Sequence, residues 1–174
     1  MLKKGTLLIT QALHWRSLTM LDLPAVEAIA TQVHPQFPEE IAILAERLWL
    51  YPDGAHLLEL DGAPSGYILS HPWRSGTIPL LNAPLGALPK DPDIFYIHDL
   101  ALLNHARGTG AAAMIVGDIL RHARALGYNE ISLVAVNRSQ AFWHKHGFRA
   151  VALAELAAKL SRYEATATYM RKLL

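Results

Sequence analysis

The stretch that decides the fold runs from Ile94 to Val136 and reads IFYIHDLALLNHARGTGAAAMIVGDILRHARALGYNEISLVAV. Apolar residues at 94–97 and 100–102 predict a buried strand, and 131–136 predict a second one. Between them a glycine turn precedes a helix from Ala111 to about Leu126, which Gly127 closes as a C-terminal cap. The residues predicted for one apolar side of this helix are Met114, Ile115, Ile119, Ala123 and Leu126. This order makes the two strands parallel and places the helix over the sheet.

The segments on both sides of this unit predict further helices and strands of one α/β domain. They are a strand over 15–20, a helix capped by Asp22 and ended by His34-Pro35, a helix after Pro38, a hairpin of 56–60 and 66–70 around Asp61-Gly62, a short helix over 140–145, a strand over 148–151, an alanine-rich turn or helix over 153–160 and a closing strand near 165–170. We expect one domain over 13–174, with residues 1–12 as a ragged N-terminus.

Proline is concentrated in one segment that has no helical or strand periodicity. Half of the chain's 10 prolines lie between Pro72 and Pro92. Long irregular loops are uncommon in compact domains unless they cover a site or are mobile. We therefore expect this loop either to cover a site or to be mobile.

Composition excludes several classes of function. The chain has 174 residues, of which 52% are hydrophobic and 18% charged, with a net charge of +1, so it lacks the basic surface that nucleic acid requires. It has no cysteine, which excludes disulfides, thiolate nucleophiles and cysteine-bound metal. The apolar run at 7–9 is too short for a signal peptide, and no segment is apolar enough to span a membrane. We expect a soluble, cytoplasmic protein with no nucleic-acid or membrane partner.

Two glycines, Gly108 and Gly110, lie between the predicted strand and helix. Unpaired backbone N–H groups and the helix dipole make such a turn an anion site, and the absent side chains let a phosphate approach. Residues 108–113 also satisfy the dinucleotide pattern G-x-G-x-x-A, which keeps a nicotinamide enzyme as an alternative. Asn137, where that fold has an acidic residue, counts against it. A glycine turn made only for tight strand–helix packing is the structural alternative.

Two motifs resemble those of the GNAT N-acetyltransferases. Residues 107–112, Arg-Gly-Thr-Gly-Ala-Ala, are similar to the coenzyme A motif Q/R-x-x-G-x-G/A. The later segment 137–148, with Asn137, Ser139, Phe142-Trp143, Lys145 and Gly147-Phe148, resembles the second signature of the family. The resemblance extends from about Trp15 to the C-terminus, and the specific matches lie within 94–148. It implies a mixed, mostly antiparallel sheet flanked by helices.

The resemblance implies acetyl-CoA as cosubstrate, no metal, and direct acetyl transfer to a primary amine of a small molecule or peptide. The pyrophosphate would rest on backbone N–H groups of the glycine turn, and the pantetheine arm would lie where neighbouring strands separate. The implied coenzyme-binding residues are Leu100, Ala101, Leu102, Arg107, Gly108, Thr109, Gly110, Ala111, Ala112, Asn137, Ser139, Phe142 and Lys145.

An amine with a pKa near that of lysine, about 10.4, must lose a proton before it attacks a thioester. His98 is our candidate base, because it lies on the strand before the glycine turn, close to where members of the family that this chain resembles have a histidine or glutamate base. A hydrogen-bonded structural histidine is the alternative. Since strand neighbours face opposite ways, we expect at most one of His98 and Asp99 to face substrate, and we expect Asp99 to be structural.

Trp143 stands where many members of the resembled family have a tyrosine that is proposed to protonate the leaving thiolate. An indole N–H donates hydrogen bonds but is not a usable acid. Tyr96 and His144 are weaker candidates for that task. Trp143 also keeps open a second function, an acyl-CoA-binding sensor of this fold that has lost turnover.

Acceptor contacts are expected from the variable parts of the chain, including the proline-rich loop. The candidates are Trp49, Tyr51, His71, Trp73, Tyr96 and Trp143. Their aromatic character suits an apolar or aromatic acceptor. The closest histidine pair, His144 and His146, would point to different faces of a helix, so no metal site is expected. The sequence leaves a homodimer open.

Overall fold

The computed structural model describes residues 12–174, so the expectation for residues 1–11 lies outside the described residues. The strands are β1 (Leu13–Ser17), β2 (Ala55–Leu60), β3 (Ala63–Trp73), β4 (Ile94–Leu102), β5 (Glu130–Ala135), β6 (Arg149–Ala150) and β7 (Thr168–Leu173). The helices are α1 (Leu23–Val33), α2 (Ile41–Leu50), α3 (Ala111–Ala125), α4 (Gln140–Lys145) and α5 (Ala157–Leu160). No helix in this described range is long and apolar enough to cross a membrane.

All seven strands form one sheet in the order β1-β2-β3-β4-β5-β7-β6. Strands β4 and β5 are parallel, and every other neighbouring pair is antiparallel. The parallel pair is connected through α3, as the strand, helix and strand pattern predicted. The predicted mixed, mostly antiparallel sheet is confirmed.

The sheet is the middle of three layers. Apolar residues of α1 and α2, among them Val26 and Leu44, pack on one face of the sheet against Tyr67 and Leu69. Helices α3 and α4 pack on the opposite face, where the core includes Phe95 and other residues of β4 and β5. Burial of these two faces is the main favourable term that holds the helices to the sheet.

Strand β4 contains one extra residue in its pairing with β3. Leu69 pairs with Asp99, but the next residue, Ser70, pairs with Ile97, so His98 has no partner across the ladder. This is a β-bulge, which inserts one residue and changes the side-chain alternation. Its effect is visible in the packing, since Phe95 and Ile97 face α3 before the bulge and even-numbered residues face it afterwards.

Strands β4 and β5 separate after a short parallel ladder. Only three residue pairs join them, from Phe95 with Ile131 to Ile97 with Leu133. Beyond these pairs each strand continues without the other, to Leu102 in β4 and Ala135 in β5. The sheet therefore contains an internal gap on the side towards the glycine turn.

Several sequence predictions need correction. The first strand ends at Ser17. Asp22 stands at the predicted N-cap position of α1, but its side chain makes no capping hydrogen bond there and pairs with Arg16 at 2.8 Å. On α3 the predicted buried residues Met114 and Leu126 are about half exposed, because Ala111 and Val116 occupy the buried stripe. Other predicted boundaries shift by a few residues: β3 extends to Trp73, the loop spans 74–93, and the closing strand is Thr168–Leu173.

Candidate functional site

A cavity of about 580 Å³ runs along β4 between the glycine turn and Tyr96. Its near end is formed by Arg107 and the start of α3, and its middle by the gap between β4 and β5. Its far end is formed by residues of four segments, which are the connection between α1 and α2, the proline-rich loop, β4 and the loop after α5. These residues are His34, Phe37, Glu39, Leu81, Tyr96, His98, Asp99 and Tyr163. Six residues of extended strand separate Tyr96 from Leu102, which corresponds to about 20 Å.

The glycine turn has the backbone conformation that an anion site requires. Gly108 and Gly110 have φ of +77° and +87°, in the left-handed region that glycine adopts without strain. A Cβ atom at either position would meet nothing within 4 Å, so the backbone is open to a ligand. The turn leads directly into α3, which has 15 residues and directs its N-terminal dipole at the same place. A phosphate fits this arrangement.

Thr109 and Ala111 of the turn differ from the sequence expectation. The hydroxyl of Thr109 donates to the Ala106 carbonyl at 2.8 Å and accepts from the Ala111 N–H at 3.3 Å. Thr109 therefore stabilises the turn from inside and does not line the cavity, and the N–H of Ala111 already has a partner. Arg107 lines the cavity, and its Nε donates to the Leu102 carbonyl at 3.4 Å.

The gap in the sheet exposes backbone groups of β4. The N–H of Leu103 donates to Ser65 in β3 at 2.9 Å, so its N–H points towards β3. Backbone amides alternate direction along a strand. The N–H groups of Leu100 and Leu102 therefore point away from β3, into the gap on the β5 side. Both residues line the cavity, whereas the side chain of Ala101 is buried on the α1 face. The strand separation expected for the coenzyme arm is therefore present.

His98 is held by a carboxylate that is far away in sequence. Its Nε2 lies 3.0 Å from Oε2 of Glu39, and the side chains are 5% and 11% exposed. Burial raises the pKa of Glu39, but the charge of His98 and its hydrogen bond outweigh burial and hold that pKa below its usual value. Glu39 also accepts from the backbone N–H of Asn82 at 3.2 Å. An ionised Glu39 thus fixes the ring of His98 and the loop beside it.

Asp99 is the centre of a second buried group. Its carboxylate lies 2.8 Å from Nε2 of His34 and accepts a hydrogen bond from the Tyr67 hydroxyl. Burial raises the pKa of Asp99, but the charge of His34 and these two hydrogen bonds outweigh burial, so the pKa is lowered. Burial conversely lowers the pKa of His34, and Asp99 raises it above the ordinary value. Nδ1 of His34 also lies 3.0 Å from Nδ2 of Asn137.

Both His98 and Asp99 line the cavity, so the expectation that these neighbours face opposite ways is wrong. The bulge at His98 is the reason, since it adds one residue and places the two side chains on the same face of β4. Asp99 nevertheless has its hydrogen bonds satisfied by His34 and Tyr67, as a structural residue would.

The aromatic pair of the second motif lies on the opposite wall. Phe142, Trp143 and Ser139 line the cavity, and Trp143 is 6% exposed. Its indole N–H donates to the Ser139 hydroxyl at 3.2 Å. His144, a candidate acid, points elsewhere, with Nδ1 at 3.1 Å from the Phe148 carbonyl. Lys145 is exposed and does not line the cavity.

Several candidate acceptor residues do not line the cavity. Tyr51 packs under α3 with its hydroxyl 2.8 Å from His122, and Trp49 is 72% exposed on α2. His71 and Trp73 lie behind the cavity wall, where burial lowers the pKa of His71 to about 3. Of the six residues proposed to contact the acceptor, Tyr96 and Trp143 line the cavity.

The proline-rich loop borders the cavity through Leu81. It is attached to α2 by charged side chains. The Glu46 carboxylate accepts from the N–H groups of Leu85 and Gly86 at 2.8 and 2.9 Å, and Arg47 donates to the Ala83 carbonyl at 2.8 Å. These contacts hold the loop beside the far end of the cavity.

Sequence reasoning missed several residues that line the cavity at or beside its far end, namely His34, Phe37, Glu39, Tyr67 and Tyr163. His34 and Glu39 were assigned only to helix ends, and nothing in the local pattern connects them to β4. Within residues 12–174 no group of three or more histidine, aspartate or glutamate residues could hold a metal ion.

A model of the Acetyltransferase (GNAT) family matches residues 17–148. No curated protein sequence matches the chain at a significant level. The loading GNATL domain of CurA from Lyngbya majuscula has a TM-score of 0.78 at 13% identity, over 93% of this chain and 98% of that chain. Ard1 from Thermoplasma volcanium has a TM-score of 0.71 at 16% identity, over 94% and 98%.

Arabidopsis thaliana Naa50, in complex with the bisubstrate analogue CoA-Ac-MVNAL, has a TM-score of 0.66 at 16% identity, over 91% of this chain and 96% of that chain. At these identities the solved structures show the fold alone. The family model, in contrast, spans most of the chain, from β1 through both motifs. The chain therefore belongs to the GNAT acetyltransferase family.

Proposed function

We propose that residues 13–174 form an N-acetyltransferase domain that moves an acetyl group from acetyl-CoA to a primary amine of a small molecule or peptide, by direct attack and without a metal. The observation that carries the proposal is the position of His98. It lies in the cavity that begins at the glycine turn, with a carboxylate on its Nε2. One continuous space therefore joins an anion site to a candidate base.

Each part of the cavity fits a portion of the coenzyme. The open backbone at Gly108 and Gly110, the N-terminus of α3 and Arg107 would hold the pyrophosphate. Leu100 and Leu102 present backbone groups to the gap where an extended arm would lie. Asn137, Ser139 and Phe142 line the opposite side. When bound, acetyl-CoA supplies a thioester whose carbonyl carbon accepts the amine nitrogen and whose thiolate leaves.

Residues of the chain would orient the base and receive the proton. Ionised Glu39 accepts from Nε2–H of His98, which leaves Nδ1 with the lone pair that takes the amine proton. Backbone N–H groups in the gap would polarise the carbonyl. Tyr96 lines the cavity, but burial raises its pKa well above the ordinary 10, which makes it a poor acid for the thiolate. Water is the simplest proton source for that step.

A second candidate function is an acyl-CoA-binding sensor without turnover. The observation that favours it is the indole N–H of Trp143, which is already bonded to Ser139 and offers no acid. Measurable acetyl transfer to any amine would eliminate this candidate.

Calorimetric titration with acetyl-CoA, free CoA and NADPH tests the coenzyme assignment. We expect both CoA compounds to bind and NADPH not to bind. Gly110→Glu places a negative charge at the anion site and should abolish binding, whereas Gly110→Ala adds only backbone strain of about 1–2 kcal/mol. Loss of binding in both variants alike would point to misfolding of the turn, and circular dichroism of each variant checks this. No binding of either CoA compound to the unmodified protein would overturn the proposal.

A further inference from the structure

The far end of the cavity combines two carboxyl groups and two histidines with aromatic surface. Its ionisable lining residues are Glu39, Asp99, His34 and His98. Both carboxyl groups have pKa values below their usual range and are ionised at neutral pH. Even with both imidazoles protonated, the two pairs sum to zero charge. While both carboxyl groups are ionised, no protonation state of the two histidines gives this end of the cavity a net positive charge.

No fixed cation lines this end of the cavity. Among all lining residues in the described range, Arg107 is the one arginine or lysine, and it belongs to the glycine turn at the other end. Arg47 lies nearby but is 2% exposed and does not line the cavity. Its two terminal nitrogens donate to Glu46 and to the Ala83 carbonyl, and its Nε has no hydrogen-bond partner among the described residues. Buried His71, with a pKa of about 3, is neutral. A carboxylate that entered here would lose its water without gaining a charged partner.

The rest of this surface is apolar and aromatic. Phe37, Leu81, Tyr96 and Tyr163 line it, and burial raises the pKa of both tyrosines, so they are neutral phenols. Neutral aromatic faces attract ammonium groups and pack against apolar chains. An ammonium is also favoured by the two carboxylates, whereas like charge disfavours a carboxylate.

We infer that the acceptor is a primary amine with an apolar or aromatic body and no carboxylate near the amine. The inference rests on the proposed acetyl transfer and names the acceptor class for that site. It excludes free α-amino acids, because their carboxylate is adjacent to the amine that must reach His98. An amine whose carboxylate has been removed, or converted to an amide as in a peptide, meets the requirement.

Three probes that share one side chain test the inference: phenethylamine, phenylalanine and phenylalaninamide. Binding is measured by calorimetry on the protein saturated with CoA, and turnover is measured with acetyl-CoA. We expect phenethylamine and phenylalaninamide to be preferred over phenylalanine by at least about tenfold in Kd and in kcat/KM, the effect of one unfavourable charge contact. Equal or tighter binding of phenylalanine would overturn the inference. So would undetectable binding of phenethylamine.

A charge variant separates repulsion from size. Glu39→Gln removes one negative charge while keeping a hydrogen-bond acceptor for His98. The preference for phenethylamine over phenylalanine should therefore fall by about tenfold, the effect of one charge contact. Glu40→Gln, at an exposed position with no cavity contact, is the matched control and should leave the ratio unchanged. An unchanged ratio in Glu39→Gln would contradict the electrostatic explanation. If acetyl-CoA itself does not bind, the proposed function fails, independently of this ratio.

Discussion

Glu39 and His98 are 59 residues apart in sequence, yet their Oε2 and Nε2 atoms lie 3.0 Å apart. The contact joins the segment before α2 to the bulge of β4, and both side chains are nearly buried. Because Glu39 also accepts from Asn82 of the proline-rich loop, one carboxylate connects the candidate base with the loop that borders the cavity. Three segments of the chain therefore meet at the far end of the cavity.

We expect His98→Ala to lower kcat by about 10²–10⁴, the usual contribution of a general base. Affinity for acetyl-CoA should be unchanged, since His98 lies away from the glycine turn. Steady-state kinetics at saturating amine, with calorimetry for the coenzyme, measure both. His14→Ala, on exposed β1, is the control and should behave as the unmodified protein. An unaltered kcat in His98→Ala would refute the assignment of the base.

Asp99→Asn should destabilise the protein by about 3 kcal/mol at pH 7, because it breaks a buried charge pair. Because the pKa of Asp99 is lowered in the folded state, the unfolded state binds more protons at acidic pH. The contribution of Asp99 to the free energy of unfolding is therefore present above the unfolded pKa of about 3.9 and is lost as pH falls through the folded pKa. The difference in Tm from the unmodified protein should therefore shrink below about pH 4. Thermal melts at pH 7, 5 and 3 measure it. A difference that grows on acidification would be inconsistent with this sign, and exposed Asp91→Asn is the control.

Trp143→Tyr and Trp143→Phe form a matched pair that differs by one hydroxyl. Both remove the bond from the indole to Ser139 and leave a similar small space. If protonation of the thiolate limits the rate, the tyrosine variant should exceed the phenylalanine variant in kcat by up to about 10², as expected for a general acid. Equal kcat values would show that the thiolate needs no acid from this position.

Glu46→Ala should release the proline-rich loop from α2. It removes the acceptor for the N–H groups of Leu85 and Gly86, and hydrogen bonds to charged groups contribute about 1.5–3 kcal/mol each. Hydrogen exchange of these two amides should accelerate by at least about tenfold, while KM for the amine rises and affinity for acetyl-CoA holds. Glu27→Ala, on the exposed side of α1, is the control. Unchanged exchange would mean that other contacts hold the loop.

The parts of the structure that the sequence predicted well depend on local patterns. The unit of β4, α3 and β5 follows from apolar periodicity and from glycines at the turn and the cap. The short helix Gln140–Lys145 was predicted with the bounds that the structure has. The near end of the cavity is built from this unit and from the residues after β5, so most of its lining was identifiable.

The far end could not be predicted because its contacts are long-range. His34 follows α1 and meets Asp99 across 65 residues, and no periodicity records such a pair. The bulge at His98 was also hidden. Residues on both sides of it are apolar on both faces of the sheet, so the change of alternation leaves no trace in the hydrophobic pattern. The expectation that His98 and Asp99 face opposite ways was wrong for this reason.

The short parallel ladder between β4 and β5 has a mechanical consequence. Strands β1 to β4 form one antiparallel half, β5 to β7 form the other, and three residue pairs join them directly. Since only these three pairs join the two halves directly, shear and local opening between the halves should begin at this seam. A molecule that filled the gap would contact both halves and hold them together across the seam. Its binding should therefore make the whole sheet more rigid.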